Sequence, residues 1–231
     1  CPQLRALFCA SSHLKTMEAS AHRPQTLKEE IANSLTHGIG ILFSVVAISL
    51  LVTFSVLNGS AIHVVSSSIF AGSFLLLYTF STLYHAFQHE QVKRLLRTFD
   101  HISIYILIAG TYTPFLLLGV SGALGWVFFG IIWLLAVLGI IFKVYYQYRF
   151  PKASLIFYLG MGWMGVFLIK PLFASLDATV LSLILGGGVS YTLGTIFFVQ
   201  KKMMYAHAIW HLFVLGGTIT HFIAMMFLLQ A

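Results

Sequence analysis

Three histidines and one aspartate are the residues of this sequence best suited to chemistry. His207 and His211 are four residues apart, which places both imidazoles on one helical face with Cβ atoms about 6 Å apart. That spacing suits two ligands of one metal ion, and His85 offers a third imidazole. Three neutral imidazoles with an open fourth position are typical of catalytic Zn²⁺, which lowers the pKa of its bound water to about 7. Asp100 could then orient that water or accept its proton.

Ser81 is the second candidate for a catalytic role, because it precedes His85 by one helical turn. Its hydroxyl could hydrogen-bond the water on the metal or a substrate carbonyl. A serine in a membrane helix also commonly donates to its own backbone carbonyl at position i−4. Spacing alone does not decide between these two roles.

The other residues also have purely structural explanations. His85 could be an interfacial histidine near a helix end. Asp100 follows Thr98 by two residues and fits a capped first turn, where a carboxylate favours the helix dipole. The His-x-x-x-His spacing occurs on many helices, and Ala208 stands where the metalloprotease motif His-Glu-x-x-His has its glutamate. A metal site therefore requires that these residues come together in the fold.

The elements that must position them are membrane-spanning helices. Of 231 residues, 59% are hydrophobic and only 8% charged, a balance that excludes a water-soluble domain. Apolar runs of about 20 residues recur without strand alternation, which predicts an all-α bundle. The seven predicted spans are residues 31–57, 62–87, 99–119, 122–143, 153–171, 178–199 and 205–229.

The basic residues predict the orientation of this bundle, since they concentrate in alternate connections. Those connections carry Lys15, Arg23 and Lys28; Lys93, Arg94 and Arg97; Lys143, Arg149 and Lys152; and Lys201 and Lys202. The pattern places the N-terminus in the cytoplasm and the C-terminus outside. It brings His85, Asp100, His207 and His211 to one cytoplasmic end, in helices two, three and seven. The basic residues that give the net charge of +7 then set the orientation of the protein in the membrane, and no nucleic-acid partner is expected.

Two further groups of polar residues lie in the spans. Glu30, Asn33 and His37 form a polar stripe at the start of the first helix, either supporting the site or marking where the chain enters the membrane. His221 lies ten residues beyond His211, roughly 15 Å along a helix, too far to share an ion. We predict that His221 is a packing or cavity residue.

The sequence predicts one domain behind a short N-terminal segment. Residues 1–27 form that cytoplasmic segment, and residues 28–231 form the seven-helix membrane domain. Residues 1–16 precede Met17, lack the features of a secretory signal, and are expected not to belong to the native protein. Both cysteines, Cys1 and Cys9, lie in this stretch, so a metal would be bound by His, Asp or Glu rather than thiolate.

These motifs resemble a known family, the progestin and adiponectin receptors. The resemblance is carried by three motifs over about residues 27–229: Ser81-Thr82-Leu83-Tyr84-His85, Asp100 with the run Ile108-Ala109-Gly110-Thr111-Tyr112-Thr113-Pro114, and His207-x-x-x-His211. The opening Glu30-Ile31-Ala32-Asn33-Ser34-Leu35-Thr36-His37-Gly38 is similar to the bacterial haemolysin III branch. The resemblance implies seven helices with the N-terminus inside, and a multi-pass protein of the bacterial plasma membrane.

The resemblance also implies roles for individual residues. His85, His207 and His211 match zinc ligands, Asp100 matches an aspartate that holds a zinc-bound water, and Ser81 belongs to the same motif. Related receptors resemble ceramidases and hydrolyse lipid amides, and bacterial members are linked to membrane lipid homeostasis. We therefore expect a zinc-dependent hydrolase acting on an amide or ester bond of a membrane lipid. The alternatives are a pore-forming cytolysin and a non-catalytic sensor of membrane fluidity with structural zinc.

Overall fold

The computed structural model describes residues 25–146, 151–200 and 202–230, and all regular structure in these ranges is helical. The predictions for residues 1–16 and for both cysteines lie outside the described residues. Within these ranges eight α-helices follow one another: α1 (Leu27–Asn58), α2 (Ala61–Ala86), α3 (Glu90–Pro114), α4 (Gly122–Tyr146), α5 (Pro151–Gly162), α6 (Ile169–Ser175), α7 (Ala178–Val199) and α8 (Ala206–Leu228).

Seven helical segments of the described chain are long and apolar enough to cross a bilayer, which confirms the predicted architecture. The third continues from α3 through a π-helical stretch, Phe115–Val120. The fifth, Ala153–Ser175, combines α5 and α6 with an intervening 3₁₀ stretch, Met164–Leu168. The Tyr112 hydroxyl donates to the carbonyl of Gly162 at 2.5 Å and accepts from the backbone N–H of Gly165 at 2.8 Å. It therefore satisfies two backbone groups at this interruption.

The third helix begins nine residues earlier than the sequence predicted, at Glu90 instead of residue 99. The basic stretch before Asp100 contains good helix formers and neither glycine nor proline, so the helix continues through it. Asp100 is consequently an interior residue of α3, and the capped first turn proposed for it is wrong. Lys143 is likewise not a loop residue, because it lies within α4 and is only 4% exposed.

Helices adjacent in sequence pack side by side, and one long-range contact closes the bundle. The sequential neighbours α1 to α4 contact one another in turn, α7 packs on α8, and α8 returns to contact α1. The core includes Phe70, Phe74, Tyr78 and Tyr105, all fully buried. Large apolar side chains cover the outside, as a bilayer requires.

Gly40 allows the first two helices to approach closely. A Cβ at this position would lie 2.6 Å from the ring of Tyr78 on α2, a distance at which the ring must shift. The Tyr78 hydroxyl in turn donates to Thr218 on α8 at 2.8 Å. These contacts therefore fix α1, α2 and α8, three helices that carry candidate site residues, against one another around Tyr78.

Candidate metal centre

His85, His207 and His211 meet in the bundle although they come from helices far apart in sequence. Each offers one ligand atom, and the three atoms all lie within 4.8 Å of one another. The ring centroids are 5.1 Å apart for His85 and His207, 5.2 Å for His85 and His211, and 4.5 Å for His207 and His211. The side chain of His85 is 1% exposed, so it faces the inside of the bundle.

A carboxylate on α1 orients the His85 ring. Nδ1 of His85 lies 2.6 Å from Oε2 of Glu30, and Oε1 of Glu30 accepts from Nζ of Lys93 at 2.7 Å. The other ring nitrogen, Nε2, is buried and has no hydrogen-bond partner among the described residues. A carboxylate that binds one nitrogen of an imidazole leaves the second for a metal and fixes the ring orientation. His85 is therefore prepared to ligate through Nε2.

The backbone of α1 orients His211 in the same way. Nδ1 of His211 lies 3.1 Å from the carbonyl oxygen of Asn33 and 3.1 Å from Oγ1 of Thr36. The carbonyl can only accept, so Nδ1 carries the hydrogen and Nε2 is the nitrogen left for a metal. Two of the three imidazoles thus receive their orientation from one face of α1.

His207 is positioned by the turn that precedes α8. The backbone N–H of Tyr205 donates to Oε1 of Glu29 at 3.1 Å, which ties the start of α8 to the first turn of α1. Glu29 also forms a capping box with Thr26, so the same side chain helps to begin α1. His207 is partly buried, and its ring lies beside that of Phe198 at a centroid distance of 6.1 Å.

Asp100 and Ser81 face the same region from α3 and α2. The Asp100 carboxylate interacts electrostatically with His85 and lies beside the Ser81 hydroxyl. Oδ2 of Asp100 is also 3.5 Å from Nδ1 of His101. The Ser81 hydroxyl is fully buried and donates to no backbone carbonyl of the described chain, so the i−4 backbone bond expected of a membrane serine is not formed. The catalytic roles of Asp100 and Ser81 stay predictions.

The donor set suits a zinc ion. With Zn–N bonds of about 2.1 Å, tetrahedral ligand nitrogens lie about 3.4 Å apart, so modest ring rotations would complete the coordination. The buried, unpartnered Nε2 of His85 is the atom that such an ion would satisfy. These three histidines could therefore hold a metal ion.

The first helix contributes more to the site than the sequence indicated. Glu30, Asn33 and His37 were predicted to form a stripe with either a supporting or a merely interfacial role, and the structure places them against the ligand histidines. Their helical spacing was the signal that could have revealed this. His221 stays apart from the cluster, and its Nε2 pairs with the carbonyl oxygen of Ile184 at 2.9 Å.

Fold and site together define a class: a multi-pass membrane protein, with seven spans in the part of the chain that the structure describes and a histidine cluster at one end. A family model described as "Haemolysin-III related" matches residues 25–222. The chain belongs to the haemolysin III-related family.

Individual relatives extend this assignment. The chain is 49% identical over 202 residues to "Hemolysin-3 homolog" of Bacillus subtilis (strain 168), covering 87% of this chain and 95% of that one. It is 47% identical over 210 residues to "Hemolysin-3" of Bacillus cereus, with 91% and 96% coverage. The human "Monocyte to macrophage differentiation factor" is 31% identical over 216 residues, with 90% and 87% coverage. The bacterial relatives and the seven spans support a location in the bacterial plasma membrane.

Proposed function

We propose that the protein is a zinc-dependent hydrolase that cleaves an amide or ester bond of a membrane lipid. The observation that carries the proposal is the meeting of three imidazoles, with ligand atoms all within 4.8 Å of one another, together with a buried carboxylate, Asp100, that interacts electrostatically with His85. A site built from three imidazoles leaves a coordination position open for water or substrate, as hydrolytic zinc sites do. Zinc in such a site polarises a carbonyl and makes water nucleophilic near neutral pH.

Each neighbouring residue has a defined part in this reaction. His85, His207 and His211 hold the ion, and Glu30 keeps His85 in its ligating orientation. Asp100 accepts a proton from the attacking water and returns it to the leaving nitrogen or oxygen of the substrate. The Ser81 hydroxyl, which is fully buried beside Asp100, donates to the substrate or orients the water.

A cleft beside the cluster supports a lipid as the substrate. A cleft of about 260 Å³ lies between α1 and the end of α2, and Glu30 and His85 contribute to its lining. Its apolar wall includes Leu27, Ile31 and Leu35, which are 64%, 50% and 64% exposed. In a membrane-spanning helix such side chains contact acyl chains, so the cleft joins the lipid phase to the polar residues around His85.

The proposal is tested by lipid turnover in proteoliposomes of wild type and Asp100→Asn. The amide keeps the shape of the side chain but accepts a proton poorly, so we expect turnover to fall at least 100-fold. Zinc content, measured on the same samples, should be equal. Equal turnover in both proteins would contradict the catalytic role of Asp100. If the zinc-loaded wild type hydrolyses none of the supplied lipid amides or esters, the proposed hydrolase activity is contradicted and the sensor of membrane fluidity is favoured.

The name of the Bacillus cereus relative, "Hemolysin-3", supports a second candidate, a cytolysin that permeabilises membranes. Planar-bilayer conductance separates the two functions. A cytolysin would conduct with or without the three histidines, because a pore needs no bound metal. A hydrolase predicts no conductance in either the wild-type protein or the histidine variants.

A further inference from the structure

His37 is a fourth histidine at the cluster, and neither of its ring nitrogens has a hydrogen-bond partner among the described residues. The residue is only 3% exposed, so water does not serve these atoms from the bulk. A buried polar atom without a partner destabilises the folded protein, because it has lost its hydrogen bonds to water and gained none in return. A side chain that leaves two such atoms unsatisfied beside a candidate metal centre indicates a ligand that supplies the missing bonds.

Two aromatic rings pack against the imidazole of His37. Its ring stacks on the ring of His211, with centroids 3.5 Å apart and an interplanar angle of 13°. The ring of Tyr78 also packs against His37, with centroids 5.0 Å apart in an edge-on arrangement. Apolar phenylalanine would fill the same space, so packing alone gives no reason for an imidazole at this position.

The stacking also distinguishes His37 from the three ligand candidates. A metal ion bound to an imidazole nitrogen lies near the plane of that ring, and the His37 ring is stacked on the His211 ring in a nearly parallel plane, with centroids 3.5 Å apart. A Zn–N bond is about 2.1 Å long, so a nitrogen in that second plane is too distant to ligate. It is close enough to hydrogen-bond an oxygen atom held next to the ion, because such bonds span about 2.7–3.2 Å.

We propose that His37 is a substrate-binding residue whose ring nitrogen hydrogen-bonds an oxygen atom placed beside the three ligand histidines. In the resting protein that atom belongs to water, and in the complex it is the carbonyl oxygen of the lipid amide or ester. A neutral imidazole has one donor and one acceptor nitrogen, so it can serve either partner. The inference rests on the proposed metal site and adds to it the residue that holds the fourth ligand.

The test uses Co²⁺-loaded protein in detergent and octanohydroxamate, an amphiphile whose carbonyl and N-hydroxyl oxygens both bind metal. The variant His37→Phe keeps the stacked ring and removes both nitrogens. We expect it to bind one Co²⁺ per chain as the wild type does, and to bind the hydroxamate at least 10-fold more weakly by cobalt absorption. Thermal stability should be equal or higher, since two unsatisfied polar atoms are removed.

The matched control is His221→Phe. It makes the same histidine-to-phenylalanine change at a second buried histidine, which lies on α8 away from the cluster. It should bind the hydroxamate with wild-type affinity. His37→Gln, which keeps a donor and an acceptor, should retain intermediate affinity and serves as the second variant if His37→Phe does not fold.

The remaining outcomes overturn the inference in distinguishable ways. Loss of Co²⁺ from His37→Phe would make His37 a metal ligand. Unchanged hydroxamate affinity in both His37→Phe and His37→Gln would reduce it to a packing residue. A wild-type protein that binds no Co²⁺ would instead refute the proposed metal site itself, before any variant is compared.

Discussion

At the residue scale, the orientation of His85 depends on a single carboxylate. Glu30 is 7% exposed and lies between the imidazole of His85 and the ammonium of Lys93. One carboxylate oxygen accepts from the lysine, and the other contacts Nδ1 of His85 and so fixes which ring nitrogen faces the cluster. The sequence shows none of this linkage directly, because these three residues belong to three different helices.

Replacing Glu30 should therefore weaken metal binding without removing a ligand. We expect Glu30→Ala to lower the affinity for Zn²⁺ about 10- to 100-fold, the range found when a carboxylate that supports a ligand histidine is lost. Competition with a chromophoric chelator measures this affinity. Glu90→Gln is the control, because Glu90 is exposed at the start of α3 and should leave the affinity unchanged. An affinity of Glu30→Ala equal to that of the wild type would refute the role of Glu30.

The sequence predicted part of the site at this scale. Residue type and the four-residue spacing identified His207 and His211, and the basic connections indicated the end of the bundle they share with His85. Which nitrogen of each ring is available could not be predicted, because it depends on partners from other helices. Glu30 and the Asn33 carbonyl make that choice, and a sequence shows the face of a helix but not the neighbour it meets.

At the element scale, α1 is the support of the site although it supplies none of the three ligand candidates. Glu30, Asn33, Thr36 and His37 recur at helical spacing along one face, and all contact His85 or His211. Gly40 extends this face by one turn and seats the Tyr78 ring that borders His37. The close packing of α1 on α2 is thus a condition for the site.

Gly40→Ala should disturb this packing, and Gly38→Ala provides a control two residues away. A Cβ at position 40 would lie 2.6 Å from the Tyr78 ring, whereas one at position 38 meets nothing within 4 Å. Overpacking costs about 1–3 kcal/mol, so Gly40→Ala should lower the thermal midpoint in detergent. Gly38→Ala should leave it unchanged or raise it, because alanine favours a helix over glycine by about 1 kcal/mol. The reverse order would contradict the packing described for α1 and α2.

The sequence predicted the existence of the helices better than their ends. Long apolar runs identified seven spans, because a bilayer demands about 20 such residues whatever the neighbouring helices do. The predicted start of α3 was wrong, because the charged residues before Asp100 were assigned to a loop. Charged residues can extend a helix beyond the membrane, and α3 begins at Glu90. The interruption of the fifth span depends on the Tyr112 hydroxyl, which comes from another helix.

At the scale of the whole molecule, the site exists only when the bundle is closed. His85 comes from α2, Asp100 from α3, and His207 and His211 from α8, and the contact between α8 and α1 completes the arrangement. The cytoplasmic position of this end stays a prediction from the basic residues. Two of those residues are engaged within the protein, since Lys93 pairs with Glu30 and Lys143 is buried with Nζ 3.4 Å from Oγ of Ser154.

Metal analysis of the purified protein measures whether the closed bundle binds one metal ion through histidines of two distant helices. We predict about one zinc per wild-type chain by mass spectrometry of the metal, because three imidazoles form a complete protein ligand set for zinc. The double variant His207→Ala with His211→Ala should contain none, whereas His89→Ala, which removes an exposed histidine, should keep the full amount. A wild-type protein without stoichiometric zinc, or a double variant that retains it, would contradict zinc binding by these histidines.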